Sequence, residues 1–232
     1  MLLRQLFDKE SSTYTYLIAD EASGEAALID PVDVHHDMYL RLLMELGLKL
    51  TVALDTHVHA DHVTALGLLR ESTGCATMVG FEGEVDCASE GLEDGKIINV
   101  GAVAINVIFT PGHTDDSFCF LVKDGDQNYL FTGDTLFIRG TGRTDFQNGD
   151  AGQLYDSLHQ KVLTLPGNTL VYPGHDYKGW TVSTIGEELR ANPRLEPETR
   201  DAFIELMDNL DLPDPKMMDV AVPANRECGL KK

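Results

Sequence analysis

The 232-residue sequence is short of basic side chains, with 18 lysines and arginines against 38 aspartates and glutamates and a formal net charge of −20. A surface that binds nucleic acid or an anionic membrane needs a concentrated positive face. The charge balance therefore argues against both kinds of partner, and against a nuclease. It still allows an anionic small-molecule substrate, provided that a few arginines gather locally.

Cysteines and long apolar runs are also scarce. The four cysteines are widely spaced and form no C-x-x-C pair, so we expect small buried hydrophobic residues rather than disulfides at Cys75, Cys87, Cys119 and Cys228. The N-terminus lacks the apolar core of a signal peptide, and no run reaches transmembrane length. The default expectation is a cytoplasmic protein with no membrane partner.

The chain contains no internal repeat and no low-complexity linker, and its 43% hydrophobic content is ordinary for a domain with a buried core. Periodicity and turn residues predict strands at residues 13–19, 25–29, 51–54 and 169–172, short strands between 77 and 134, helices at 37–46, 63–71, 152–163, 182–191 and 199–210, and a proline-rich tail at 212–223. Alternating strands and helices interrupted by a block of strands indicate two β layers covered by helices. We therefore predict an α+β fold, an αββα sandwich, as a single domain over residues 1–232 with a short helical C-terminal tail.

A cluster of metal-binding residue types follows the apolar residues 50–54. Within six positions the chain places His57, His59, Asp61 and His62, in the pattern H-x-H-x-D-H. Imidazole and carboxylate suit borderline divalent metals such as zinc, iron or manganese, and the end of a strand holds them while leaving access for a substrate. The pattern therefore predicts a metal site.

Three other segments have the same arrangement, with a histidine or aspartate just after an apolar run and beside a glycine. They are Gly112-His113, Gly133-Asp134 and Gly174-His175-Asp176. Glycine lets the backbone approach a ligand closely. A lone histidine after a strand is more often structural, but four such clusters predict that the side chains meet at one edge of the sandwich.

Together these residues resemble the metallo-β-lactamase superfamily over nearly the whole chain. That superfamily has an αββα sandwich with metals at one edge, and its activities are diverse, so the fold alone does not decide the reaction. Residues 133–147, 172–184 and 220–225 resemble the persulfide dioxygenase family more specifically. The nearest competing branch, glyoxalase II, usually has Gly-His-Glu-Tyr at residues 174–177, where this chain has Gly-His-Asp-Tyr, and a longer basic C-terminal domain.

The resemblance implies one Fe(II) per chain, held by His57, His113 and Asp134. Two imidazoles and one carboxylate leave three adjacent coordination positions for substrate and oxygen. The other potential ligands would surround this site or hold a second metal; they are His59, Asp61, His62 and His175. Either Asp61 or Asp176 is expected to hold a ligand imidazole in the correct tautomer.

The implied activity is that of an oxidoreductase, a persulfide dioxygenase (sulfur dioxygenase) of sulfur metabolism that oxidises glutathione persulfide with O2 to sulfite and glutathione. The alternative is a dinuclear-metal hydrolase of a glutathione thioester, in which Asp134 bridges two metals that activate a hydroxide. The sequence leaves both open, because every position that a dinuclear site would use is present. A non-catalytic binding protein is disfavoured, since it would leave a complete set of buried polar ligands unexplained.

Glutathione carries two carboxylates and an amine, so its pocket needs cations and hydrogen-bond donors. The candidates for contact with substrate are Arg139, Arg143, Tyr177 and Arg226. Trp180 is expected to pack beneath the site rather than to contact substrate. A homodimer is implied by the resemblance alone.

Overall fold

Two six-stranded sheets form the centre of the computed structural model, which describes residues 1–85, 87–213 and 217–230. The first sheet follows chain order and contains β1 (Leu2–Phe7), β2 (Tyr14–Asp20), β3 (Glu25–Ile29), β4 (Lys49–Leu54), β5 (Ala76–Gly80) and β6 (Glu90–Leu92). The second contains, also in chain order, β7 (Ile97–Val100), β8 (Val103–Phe109), β9 (Phe118–Asp124), β10 (Gln127–Gly133), β11 (Leu170–Pro173) and β12 (Ser183–Thr184).

The helices cover the outer faces of the two sheets. In chain order they are α1 (His36–Leu46), α2 (Leu66–Thr73), α3 (Ala151–Ser157), α4 (Ile185–Ala191), α5 (Arg200–Asp208) and α6 (Met218–Arg226). Tyr39 of α1 and Leu66 of α2 pack against the first sheet, whereas Leu154 of α3 and Phe203 of α5 pack against the second. The αββα sandwich predicted from the sequence is thereby confirmed.

Strand β2 shows how the sequence builds these layers. Its side chains alternate, so that Tyr16 and Ile18 join the core between the sheets while Leu17 and Ala19 face the helices. All four are buried, because the strand is covered on both sides. A strand of this kind contains a continuous apolar run rather than a polar–apolar alternation, and residues 16–19 form such a run.

The structure differs from the sequence-based prediction at three elements. Strand β1 was not predicted, because its sequence LLRQLF has no regular alternation. The predicted helix at residues 182–191 begins as β12, and α4 starts only after Thr184, whose hydroxyl accepts a hydrogen bond from Glu187 N. Residues 212–223 were predicted only as a proline-rich tail, whereas α6 begins within them and contains Pro223. Residues 214–216 of that tail lie outside the described part of the chain.

The expectation for the cysteines is wrong for two of the four. Cys87 and Cys228 form a disulfide across 141 residues of sequence, whereas Cys75 and Cys119 are buried free thiols. The fold brings the C-terminal residues beside the segment between β5 and β6, a proximity that spacing along the chain cannot reveal. No helix within the described ranges is long and apolar enough to cross a membrane.

Candidate metal centre

His57, His113 and Asp134 meet at one edge of the sandwich. They follow β4, β8 and β10, so one ligand comes from the first sheet and two come from the second. One candidate ligand atom from each lies within 4.8 Å of the others. His113 Nε2 is 3.5 Å from Asp134 Oδ2, and the rings of the two histidines are perpendicular with centroids 4.8 Å apart. This is a compact set of two imidazoles and one carboxylate.

A second group lies beside it, formed by His59, Asp61 and His62, with ligand atoms also within 4.8 Å of one another. His175 lies between the two groups. Its Nε2 is 3.6 Å from Asp61 Oδ2 and 3.5 Å from Asp134 Oδ1. The structure therefore brings all seven candidate metal-binding residues of the sequence to the same edge.

The tautomer of His57 follows from its hydrogen bonds. The hydroxyl of Thr56 is 3.1 Å from Asp30 Oδ2, an acceptor, and 3.0 Å from His57 Nδ1. Because the hydroxyl hydrogen is donated to the Asp30 carboxylate, the Thr56 oxygen accepts from His57 Nδ1–H. The lone pair is then on His57 Nε2.

His113 is oriented in an equivalent way by the main chain. Its Nδ1 lies 2.7 Å from the carbonyl oxygen of Arg143, which can only accept, so Nδ1 carries the proton and Nε2 carries the lone pair. Both imidazoles of the triad are thus held with Nε2 available for a metal. Neither imidazole of the triad is therefore oriented by Asp61 or Asp176, contrary to the expectation.

The two aspartates have other roles. Asp61 Oδ2 is 3.0 Å from Nδ1 of His62, and Asp176 Oδ2 accepts hydrogen bonds from the backbone N–H groups of Lys178 and Trp180 at 2.7 Å each. Asp176 therefore stabilises the turn after His175. Although Asp176 follows His175 in the sequence, the turn directs its carboxylate to these backbone N–H groups.

Asp30 is a buried carboxylate that contacts both Thr56 and His59. It is 1% exposed and accepts from the Thr56 backbone N–H at 2.7 Å, and its Oδ1 is 3.1 Å from His59 Nε2. Burial raises the pKa of Asp30 to about 6, although the Thr56 hydrogen bonds oppose the rise. The ionised carboxylate accepts a hydrogen bond from His59 Nε2–H, which leaves the lone pair on His59 Nδ1.

The site presents unsatisfied atoms that suit a cation. Asp134 Oδ1, His59 Nδ1 and His62 Nε2 are buried and make no hydrogen bond within the described part of the chain. Burial lowers the pKa of His57 and of His59 well below the usual range, and the neighbouring histidines lower it further. Neutral imidazole is the form that binds metals, and burial of a carboxylate oxygen that accepts no hydrogen bond is costly unless a cation lies beside it. The residues present therefore fit a divalent metal.

Comparisons with known proteins identify the family of this chain. Residues 8–85 and 89–175 match the model of the metallo-β-lactamase superfamily. The mitochondrial persulfide dioxygenase ETHE1 of Mus musculus is 49% identical over 234 residues, covering 100% of this chain and 90% of the mouse protein. The Homo sapiens protein of the same name is 47% identical over 232 residues, with the same coverage. The chain belongs to the persulfide dioxygenase family of the metallo-β-lactamase superfamily. A crystal structure of ETHE1 from Myxococcus xanthus is 56% identical, with a TM-score of 0.95, covering 99% of this chain and 100% of the other.

Membership of the persulfide dioxygenase family confirms the resemblance seen in the sequence. The mouse and human relatives are named mitochondrial, whereas the location of this chain in the cytoplasm and its assembly as a homodimer stay predictions.

The two arginines that follow Asp134 are already engaged by carboxylates. Arg139 forms ion pairs with Glu187 and with the fully buried Glu188, and its guanidinium lies 5.1 Å from the centre of the Trp180 ring. Arg143 forms two hydrogen bonds to Asp145, at 2.6 and 2.7 Å. Either guanidinium would have to exchange a partner to bind glutathione, so both contacts stay predictions.

The other predicted substrate contacts lie in different surroundings. The Tyr177 ring is stacked on His175 with centroids 6.0 Å apart and is 72% exposed, at the mouth of the site. Arg226 lines a cavity of about 120 Å³ together with Val58 and Gln147. The expectation that Trp180 packs beneath the site is wrong, because it is 42% exposed and covers Arg139.

The sequence did not identify the groups that orient the ligands. Thr56, Asp30 and the carbonyl of Arg143 hold three histidines, and Asn225 bonds to the segment that carries His59 and His62. Thr56 lies directly before His57, which is a signal that could have been used. The others are distant in sequence and only the fold brings them to the site.

Thr56→Val should weaken metal binding by about 10–100-fold, the usual effect of losing a group that orients a ligand. Valine keeps the volume but removes the oxygen that accepts from His57 Nδ1–H. The affinity would be measured by competition with a chelator. Thr51→Val is the matched control, since that hydroxyl in β4 donates to the carbonyl of Ala26 at 3.1 Å and does not contact the site. An equal loss in both variants would contradict the role of Thr56.

Proposed function

We propose that this chain oxidises glutathione persulfide with O2 to sulfite and glutathione, using one Fe(II) held by His57, His113 and Asp134. The observation that carries the proposal is the orientation of this triad. Both imidazoles have Nε2 available at the edge of the sandwich, beside a carboxylate oxygen that lacks a hydrogen-bond partner among the described residues. The family membership of the chain supports the same activity.

Two imidazoles and one carboxylate are the donor set that non-haem Fe(II) oxygenases use. When bound, Fe(II) supplies the redox chemistry and adjacent positions for the persulfide sulfur and for oxygen. The contribution of the protein is to keep three donors on one side and to keep them in the correct protonation state. Burial of His57, at 2% exposure, serves both purposes, because it fixes the ring and disfavours its protonated form.

No side-chain nucleophile is needed for this reaction, and the site offers a tyrosine near its mouth. The exposed ring of Tyr177 stacks on His175, and its hydroxyl is the group proposed to contact the persulfide substrate. Arg139, Arg143 and Arg226 are the cations proposed for the glutathione carboxylates. Exchange of Glu188 or Asp145 for a substrate carboxylate would preserve a charge-assisted hydrogen bond at each guanidinium.

A second candidate function rests on the adjacent group of His59, Asp61 and His62. His59 Nδ1 and His62 Nε2 also lack hydrogen-bond partners within the described ranges. Between the two groups, His175 Nε2 lies 3.5 Å from Asp134 Oδ1 and 3.6 Å from Asp61 Oδ2. Burial raises the pKa of Asp61, but His175 and His62 lower it by more, so that it lies well below the usual range. An ionised Asp61 suits a second cation, as a dinuclear hydrolase of a glutathione thioester would require.

Oxygen consumption by the anaerobically iron-loaded protein distinguishes the two functions. On addition of glutathione persulfide we expect matched loss of O2 and gain of sulfite, with about one iron per chain. Glutathione itself, which lacks the terminal sulfur, is the control and should consume no oxygen. No oxygen uptake, together with two metals per chain and turnover of a glutathione thioester, would reject the dioxygenase and favour the hydrolase.

A further inference from the structure

The C-terminal segment, defined as residues 217–230, lies against the ligand loop, defined as residues 57–64. Asn225 in α6 is 3% exposed and makes three hydrogen bonds to that loop. Its Nδ2 donates to the carbonyls of His59 and His62 at 2.8 and 2.9 Å, and its Oδ1 accepts from the Thr64 backbone N–H at 2.8 Å. One carboxamide thus satisfies three backbone groups of the ligand loop.

These bonds fix the part of the loop that carries the candidate ligands His59 and His62 and follows the triad residue His57. A buried loop must satisfy its backbone N–H and C=O groups, and a carboxamide supplies two donors and an acceptor at once. The carbonyls that Asn225 holds belong to His59 and His62. In the described part of the chain, His59 Nδ1 and His62 Nε2 are buried without a hydrogen-bond partner. By holding the backbone of residues 59 and 62, Asn225 therefore determines the direction of the lone pairs on His59 Nδ1 and His62 Nε2.

The remainder of the C-terminal segment is tethered close to Asn225. The Cys228 carbonyl accepts from the Gly67 backbone N–H of α2 at 2.8 Å, and the Cys228 sulfur is bonded to Cys87. Gly229 lies directly against the loop, since a side chain there would meet the Thr64 carbonyl at 1.9 Å. The disulfide is three residues from Asn225 and joins it covalently to the segment between β5 and β6.

We propose that Asn225 is a positioning residue for the metal-binding loop and that the Cys87–Cys228 disulfide keeps it in place. The proposal rests on the proposed function only insofar as the loop binds a metal, and not on the reaction. Loss of either element lets residues 59–62 adopt other conformations. Because the triad ligand His57 belongs to the same loop, the metal then dissociates faster and its coordination becomes heterogeneous.

Cobalt(II) is the probe, because its visible absorption reports ligand geometry without turnover. Asn225→Ala should broaden or shift the cobalt bands and accelerate release of Fe(II) to a chelator by about 10–100-fold. Asn225→Asp is the second variant, in case alanine prevents folding. It retains the acceptor for Thr64 N–H but loses both donors, so we expect the same spectral change in a protein of similar shape.

Asn192→Ala is the matched control. Asn192 is also 3% exposed, and its Nδ2 lies near the carbonyls of Phe137 and Gly140, outside the ligand loop. It should lower the unfolding midpoint without altering the cobalt spectrum. If it changes the spectrum as Asn225→Ala does, or if both Asn225 variants keep the wild-type spectrum and release rate, the positioning role is overturned.

Cys87→Ser tests the tether. This variant removes the disulfide without substituting any residue of the C-terminal segment. We expect faster release of Fe(II) than from the wild type, and a smaller change in the cobalt spectrum than for Asn225→Ala. Cys75→Ser, which replaces a buried free thiol in the same apolar cluster, should leave release unchanged. Equal release from Cys87→Ser and wild type would overturn the role of the disulfide. The oxygen assay of the wild-type protein tests the reaction separately.

Discussion

Replacing His113 with alanine should abolish iron retention and reduce oxygen uptake by at least about 100-fold, since loss of a group that merely orients a ligand already costs roughly 10–100-fold. Only His57 and Asp134 of the triad would remain. His113 also connects the site to the loop after β10, because its Nδ1 donates to the Arg143 carbonyl. Iron content by mass spectrometry and oxygen uptake should therefore fall together.

His36→Ala is the matched control for this prediction. That imidazole lies on α1, where it contacts Asp37 and Ser72, and it has no part in the site. The control should keep full iron content and activity. A His113→Ala protein that retained both would remove His113 from the set of ligands.

Gly142→Ala should also weaken iron binding, without altering any ligand. An added Cβ would lie 2.3 Å from the Asp134 carbonyl oxygen and 2.9 Å from His113 Nδ1, and the Gly142 N–H donates to that same carbonyl at 2.8 Å. Two ligands would have to move apart. We expect iron affinity to fall at least about 10-fold, and stability to fall by about 1–3 kcal/mol as in other overpacked sites.

Gly140→Ala provides the comparison two residues earlier in the same loop. The nearest atom to its added Cβ is 3.7 Å away, on the Phe137 side chain, which is ordinary van der Waals contact. Iron affinity and the midpoint of unfolding in denaturant should stay at wild-type values. If iron affinity fell equally in both variants, the cause would be a stiffer loop rather than the crowding of Asp134 and His113.

The meeting of the candidate metal-binding residues could be predicted because each follows a strand, and strands are the part of the fold that a sequence shows best. His57, His113, Asp134 and His175 come directly after apolar runs, so any sandwich of those strands places them at one edge. Their density also exceeds that of incidental surface histidines. The αββα arrangement was predictable for the same reason, from the order of strands and helices.

The groups that orient the ligands could not be predicted, because their distance along the chain conceals them. Asn225 is 163 residues from His62 and lies in α6, a helix that its own proline obscures in the sequence. The pairing of Cys87 with Cys228 depends on the same contact. The ion pairs of Arg139 with Glu187 and Glu188 likewise exist only once α4 packs beside the loop after β10.

Position 143 differs from position 56 in how much substitution it can accept. His113 is oriented by a main-chain carbonyl, which every amino acid carries, whereas His57 is oriented by a side-chain hydroxyl. A library that varies residue 143 can therefore explore new substrate preferences while the acceptor for His113 is kept in every member. The same library at residue 56 would mostly produce variants with an unoriented His57. Directed evolution of this site should begin at residue 143.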